Sequence, residues 1–376
     1  MSSRTVTRRA PGKLFIAGEY AVTEPGRHAV LMAVDRYVTV TVSGLPVDAA
    51  GCPADIVVVS DLSPEPLRLR RAGGGLQGCD PPDEQRAATE LAHVVSAIET
   101  VDQWWRQRRF PRPRVLVCVT STLHDNGLKL GLGSSGAVTV ATVAALAAYE
   151  GRNLPPETQY RLAILAQAKL DPLGSGGDVA ASAFGGWIAY QAPDRAAVLQ
   201  IARGHGIDRA LRTQWPGLAI NRLPPPSGAT LQVGWTRDAA STAAVLSSLR
   251  TREWGGSPSH RTFLADSDAC ARGTATALRM RDPRLLVEWV RIARLVLTGL
   301  DQELGLGIFT DALTALCEAA EEAGGAGKPS GAGGGDCGIA LIPARNELAR
   351  TRLHSRWSRA GITRLSVNTA EWRGLT

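Results

Sequence analysis

Residues 129–137 read KLGLGSSGA: Lys129, Leu130, Gly131, Leu132, Gly133, Ser134, Ser135, Gly136 and Ala137. They run without a break into the small and apolar stretch 137–149. Glycines let a backbone approach a ligand closely, and the free N–H groups and dipole at a helix start favour an anion. The two hydroxyls sit where they can cap the helix, bond a phosphate or reach a metal. The spacing also satisfies GxGxxG, but a dinucleotide fingerprint follows a first strand directly and has an acid about 20 residues on. Here residues 121–130 are polar and loop-like, and Glu150 comes too early. The P-loop pattern GxxxxGK[ST] fails at its one approach, because Gly327 and Lys328 are followed by Pro329. The stretch is expected to be a phosphate-binding turn that opens a buried helix over 134–150.

Three further segments carry chemistry. In PGKLFIAGEY, residues 11–20, Lys13 and Glu19 flank a short apolar strand, with Tyr20 after it. In DPLGSGGDVAAS, residues 171–182, Ser175 and Gly176 precede Asp178, an acid on a glycine-rich turn that opens a short helix. In KPSGAGGGDCG, residues 328–338, Ser330, Gly331, Ala332 and Gly333 begin a glycine-rich run between a helix and a strand. A flexible linker is not followed at once by an apolar strand, so a loop whose backbone approaches a substrate fits better.

Periodicity predicts strands at 37–42, 56–60, 114–120, 186–190, 230–236 and 338–342. It predicts helices at 84–109, 134–150, 155–169, 261–280, 283–303 and 310–323. Residues 64–82 read as turn-rich, with a loop at 73–75. Proline and glycine cluster over 193–228, where a domain boundary is placed, dividing the chain into 1–222 and 223–376. Helices and strands mix in both halves, which gives an α+β or α/β class.

The composition narrows the possibilities. A chain of 376 residues, 44% hydrophobic and 20% charged, can build a packed core and suggests two domains. The longest apolar-leaning run, 137–149, is too short for a membrane span. The N-terminal ten residues are basic and polar, so no signal peptide is expected. The six cysteines form no CxxC pair and no zinc spacing with histidine, and read as reduced thiols of a cytosolic protein. A net charge of +7 suits either a nucleic acid or a substrate with several negative charges. The basic stretch around Trp104, Arg106, Arg108, Arg109, Arg112 and Arg114 reads as the solvated end of a helix. Of 42 basic residues only four are lysine: Lys13, Lys129, Lys169 and Lys328. Lysine is a point charge and arginine a planar fork, so the lysines that remain mark places needing the point charge.

In this order, the four segments resemble the GHMP kinase superfamily of small-molecule kinases, and within it the phosphomevalonate kinases of actinomycete bacteria. PGKLFIAGEYAV, KLGLGSSGAVTVA, SGGDVAAS with FGGWIAY, and KPSGAGGGDCGIAL carry the resemblance, together with Gly234, Trp235 and Thr236. It extends from about residue 4 to about residue 345. It implies a two-domain α+β fold, the first domain like ribosomal protein S5 domain 2 and the second ferredoxin-like. ATP, with Mg2+, and 5-phosphomevalonate meet between them. By matching motifs, Gly131 to Ala137 cradle the ATP phosphates with Lys129 close by. Ser134 or Ser135 lies near the metal, and Lys13 and Asp178 sit at the reacting centre. Glu19, Tyr20, Ser175, Gly176, Ser330, Gly331, Ala332 and Gly333 border the acceptor. In the related mevalonate kinases a glutamate precedes the catalytic aspartate by 11 residues; here that position is Gln167, which puts metal coordination in doubt. The alternatives are another superfamily member, such as mevalonate kinase or diphosphomevalonate decarboxylase, or a non-catalytic metabolite-binding relative. A cytoplasmic monomer or homodimer with small-molecule partners, no nucleic acid and no membrane completes the expectation.

Overall fold

A computed structural model describes residues 4–45, 54–238 and 254–371. β1 (Thr5–Ala17) and β2 (His28–Gly44) form a long antiparallel pair, Thr5 opposite Ser43 and Ala17 opposite Val30. Proline cannot donate to a ladder, and the register shifts between Pro11 and Gly12. Lys13 therefore lies just past a bulge, a feature that re-aims side chains. β3 (Ile56–Ser60), β4 (Ser63–Ala72), β5 (Gly75–Gly78) and β6 (Val115–Ser121) extend the sheet. β7 (His124–Asp125) and β8 (Leu128–Lys129) make a separate two-stranded ribbon. β9 (Trp187–Gln191) and β10 (Ala219–Leu223) complete the large sheet, in the order β10-β9-β2-β6-β3-β4-β5, with β1 on β2.

The helix Ser134–Tyr149 lies on β1 and β2, and the helices Ala92–Arg108, Pro156–Leu170 and Gly177–Phe184 pack around it. Its Ala137, Val140, Ala141, Val143, Ala145, Leu146 and Ala147 are all buried. A helix apolar on most faces is stable only inside such a layer.

β11 (Ala229–Trp235), β12 (Ala326–Pro329), β13 (Cys337–Pro343) and β14 (Thr363–Leu365) form a second, fully antiparallel sheet, ordered β12-β13-β11-β14. The helices Pro258–Met280, Pro283–Leu304, Asp311–Glu322 and Glu347–Arg359 join its strands. This is the expected ferredoxin-like arrangement. The chain then returns to the first sheet, where Thr369 bridges to Val34.

Three expectations need correction. Residues 64–82 are not a string of turns: β4 and β5 pair across Gly73 and Gly74, whose φ of 56° and 88° suit a tight hairpin. Buried Leu67 and Leu69 alternate with exposed Arg68 and Arg70, a strand signal that Pro64 and Pro66 obscured. The helix foreseen over 84–109 is two helices, Pro81–Ala88 and Ala92–Arg108, broken at Thr89 without a glycine or proline to announce it. The 193–228 region holds the helices Arg195–His205 and Ile207–Arg212 as well as β10, so the link between the sheets shortens to residues 224–228.

Candidate active site

The turn at 130–133 has Gly131 and Gly133 at φ 71° and 75°. The Lys13 N–H donates to the Leu132 carbonyl at 2.7 Å, which fixes this turn to β1. The helix Ser134–Tyr149 begins with no side-chain cap. Its first N–H groups have no intrahelical acceptor by geometry, which leaves a positive end at the half-buried Ser134 and Ser135.

Three elements converge on this end. Lys13 is only 8% exposed, and its Nζ donates to the Gly131 carbonyl at 3.2 Å. A Cβ placed on Gly133 would lie 2.8 Å from Lys13 Cγ and 3.4 Å from Asp178 Cβ, so both side chains flank one glycine. A Cβ on Gly136 would lie 2.5 Å from Asp178 Oδ2. Gly133 is therefore a close approach as well as a turn, and Gly136 a close approach within the helix. Asp178 stands in the first turn of the helix Gly177–Phe184, behind Gly176 at φ 72°. The Ser175 hydroxyl accepts from Gly177 N–H at 3.2 Å, and its carbonyl accepts from the Tyr190 hydroxyl at 2.8 Å. Ser175 and Gly176 thus frame Asp178.

Gln167 Nε2 donates to Asp178 Oδ2 at 3.3 Å. A glutamate here would set two carboxylates side by side, which demands a cation or a proton between them. The amide instead orients Asp178 without adding charge.

The second glycine-rich run closes on the same place. A Cβ on Gly331 would lie 3.7 Å from Lys13 Nζ. Several residues expected to border the acceptor are engaged in holding this loop. Buried Ser330 accepts from Phe15 N–H at 2.8 Å and donates to the Phe15 carbonyl at 3.0 Å. The Tyr20 hydroxyl donates to the Ala332 carbonyl. Tyr20 itself sits at φ 60°, ψ −57°, a strained backbone, and burial pushes its phenol far above the ordinary range. Glu19 and Lys328 form a buried ion pair, and Lys328 Nζ also donates to the Pro329 carbonyl at 2.7 Å. Gly333 is packed on Ile308. Lys129 is exposed on the β7–β8 ribbon, at the rim.

Sequence reasoning passed over His93, one of six scattered histidines. It lies in the first turn of Ala92–Arg108, where burial lowers its pKa against the opposing pull of Asp178. Its Nδ1 is buried without a hydrogen-bond partner. Only the packing of that helix against Pro156–Leu170, seen in the bond from the Ser96 hydroxyl to the Ala166 carbonyl, brings it near the site.

Residues 92–186 match the GHMP kinases N terminal domain and residues 275–360 the GHMP kinases C terminal domain. The chain is 54% identical over 367 residues to a phosphomevalonate kinase of Streptomyces sp. (strain CL190), covering 98% of each. It is 26% identical to a mevalonate kinase of Thermococcus sibiricus, over 76% of this chain and 75% of that one. Among solved structures, Streptococcus pneumoniae phosphomevalonate kinase in complex with phosphomevalonate and AMPPNP superposes with a TM-score of 0.82. It shares 26% identity with this chain, over 97% of this chain and 99% of that one.

Proposed function

The chain belongs to the GHMP kinases, and from that membership we propose that it is an ATP-dependent phosphomevalonate kinase. It moves the γ-phosphoryl of ATP onto the phosphate of 5-phosphomevalonate, giving 5-diphosphomevalonate and ADP. The observation that carries this reading is the convergence of Lys13, Asp178 and the 130–137 turn in a chain 54% identical to a phosphomevalonate kinase.

Phosphoryl transfer requires positioning and charge stabilisation more than covalent chemistry. The open N–H groups of Ser134, Ser135 and Gly136 hold the nucleotide phosphates. The acceptor phosphate has a second pKa of about 6, so near neutral pH its attacking oxygen is already ionised and no base is obligatory. It attacks the γ-phosphorus, and the bond to the β-phosphate oxygen breaks. The greater difficulty is holding two anions together. Lys13, held by the Gly131 carbonyl, supplies the charge, and Asp178, steadied by Gln167 and facing it across Gly133, positions the reacting groups. The half-buried hydroxyls of Ser134 and Ser135 beside Asp178 suit Mg2+, which uses one or two carboxylates plus phosphates and keeps waters. Ser135 is the residue we assign to it; when bound, the ion neutralises charge on the phosphates.

Lys129, Gly131, Gly133 to Gly136, Ser175, Gly176 and Gly331 face the ligands in this assignment, while buried Leu132 and Ala137, expected among them, hold the turn from behind. Glu19, Tyr20, Ser330, Ala332 and Gly333 shape the acceptor side by holding its loop. We place the division between the two domains near residue 223. We place the enzyme in the cytoplasm as a monomer or homodimer; no helix among the described residues is long and apolar enough to cross a membrane. ADP release measured with mevalonate, phosphomevalonate and diphosphomevalonate side by side tests the proposal. Turnover is expected with phosphomevalonate and little with mevalonate; equal or greater activity on mevalonate overturns it.

A further inference from the structure

Past β14 the backbone leaves the second sheet and runs back to the first, where it meets a gap. The edge of β2 away from β1 is shared between two strands: β9 pairs with residues 28–32 and β6 with residues 38–44. Residues 33–37 lie between them, and there Thr369 bridges to Val34 in antiparallel fashion. Ala370 N–H donates to the Ala33 carbonyl at 2.9 Å, and Asp35 N–H to the Asn368 carbonyl at 3.0 Å. The returning segment is a short strand added to the first sheet from within the same chain.

The gap coincides with the bulge behind Lys13. Pro11 lies opposite Tyr37 and Gly12 opposite Val34, so Asp35 and Arg36 are the extra residues of β2. The returning segment holds both. Asp35 accepts Asn368 N–H on one carboxylate oxygen at 2.7 Å and the Asn368 side-chain amide on the other at 2.9 Å. Arg36 donates to the Ser366 carbonyl at 3.1 Å. Ala33, two residues before, is the cross-strand neighbour of Lys13. It turns both backbone groups away from Lys13, its N–H to the Gly186 carbonyl at 2.8 Å and its carbonyl to Ala370. Lys13 N–H points away too, to the Leu132 carbonyl. A cross-strand pair of this kind is fixed from outside, by the phosphate turn on one edge and by Gly186 and Ala370 on the other. Gly186 is tied to the same segment, since its N–H donates to the Ala370 carbonyl at 2.7 Å.

We propose that residues 366–370 are a positioning part of the active site: by closing the gap in the first sheet they fix the β2 bulge and, across it, set Lys13 against the phosphate turn. Asn368 is the positioning residue that fastens them. This rests on the kinase reading above. Ser366 and Val367 alone separate β14 from Asn368, so both domains place Lys13 together. A misplacement of about 1 Å at a reacting centre can cost about 10²-fold in rate, so slack in this strap is read directly in turnover.

Kinetics of ADP release with ATP and phosphomevalonate on full-length wild type, Asn368→Asp, the exchange Asp35→Asn with Asn368→Asp, and Ala370→Pro test this. Calorimetric titration with AMPPNP counts the competent chains in each sample. Asn368→Asp sets two carboxylates face to face, and the exchange restores an amide–carboxylate pair with its ends reversed. Ala370→Pro removes the N–H that the Ala33 carbonyl accepts. Asn368→Asp is expected to lose about tenfold in kcat, at wild-type AMPPNP stoichiometry and with KM for ATP within a few-fold. The exchange is expected to recover most of the loss, and Ala370→Pro to lose at least as much as Asn368→Asp. A fall in kcat that only matches a fall in binding stoichiometry overturns the proposal, because the segment then merely keeps the chain folded. So does wild-type kcat in Asn368→Asp, or an exchange that recovers nothing. If Ala370→Pro does not fold, the Asn368 variants decide alone. A wild-type protein that releases no ADP with phosphomevalonate sinks the kinase reading itself, a separate failure.

Discussion

Lys13 shows how much a single residue type can specify. Its shaft passes Gly133 and its ammonium reaches the Gly131 carbonyl at 3.2 Å, in a space with almost no exposure. An arginine fork is wider and planar and does not fit where a point charge does. Lys13→Arg is expected to lose nearly as much activity as Lys13→Ala, by about 10²-fold or more in kcat. An arginine variant within a few-fold of wild type refutes the idea that lysine is kept for its shape. Asp178 calls for a different test. A general base contributes about 10²–10⁴-fold, so a loss in Asp178→Asn well below the lower figure marks a positioning role. The variant's rate should still rise as pH increases through about 6, where the acceptor phosphate ionises, and then level off. A folded Asp178→Asn protein that binds both substrates yet is inactive from pH 6 to 9 restores the base.

Among the elements, the helix Ser134–Tyr149 sets both stability and chemistry, and the two conflict at Gly136. Glycine in a helix costs about 1 kcal/mol relative to alanine, so propensity alone favours Gly136→Ala. The new Cβ would lie 2.5 Å from Asp178 Oδ2 and push the carboxylate off its mark. Gly136→Ala is expected to melt within a few degrees of wild type while kcat/KM falls at least about tenfold, since small misplacements at the reacting centre are costly. Thermal melts alongside kinetics decide it; full activity means that the carboxylate can move freely. This conflict is half legible in sequence. The glycine is visible there, whereas its opposing partner, 42 positions away, is visible only in the packing.

At the scale of the whole molecule, the contact between the two sheets runs through Glu19, Tyr20, Ser330 and Lys328. The Lys328 side chain is fully buried and that of Glu19 nearly so. Removing one partner of a buried pair leaves an uncompensated charge and costs about 3–5 kcal/mol, while removing both costs less. Glu19→Gln and Lys328→Met are each expected to lower the melting temperature clearly. The double variant should be more stable than the sum of the singles predicts. Strict additivity in denaturant titrations would show that the pair is not coupled. Because the pair holds the loop carrying Gly331, both singles should also reduce kcat.

The sequence by itself determined the four motifs, most element positions and a class of mixed helices and strands, which the family resemblance narrowed to α+β. These depend on local signals: glycine where the backbone must turn, apolar residues at helical or strand period, and two serines opening a helix after a glycine turn. It also drew attention to Lys13, Asp178 and the 129–137 stretch, through the scarcity of lysine, the glycine-rich turns and the resemblance to the GHMP kinases. The tertiary structure alone decided what those residues face. Glu19 and Tyr20 lie beside Lys13 in sequence yet hold a loop more than 300 residues away. Gln167 supports Asp178 because two helix ends meet, and His93 reaches the site because a third helix packs on the second. The positive φ of Asp336, 52°, is likewise invisible in a run of glycines, since it is imposed by hydrogen bonds to residues 236 and 238. Long-range contacts of this kind have no local period in the sequence, and only the packing of sheets and helices fixes them.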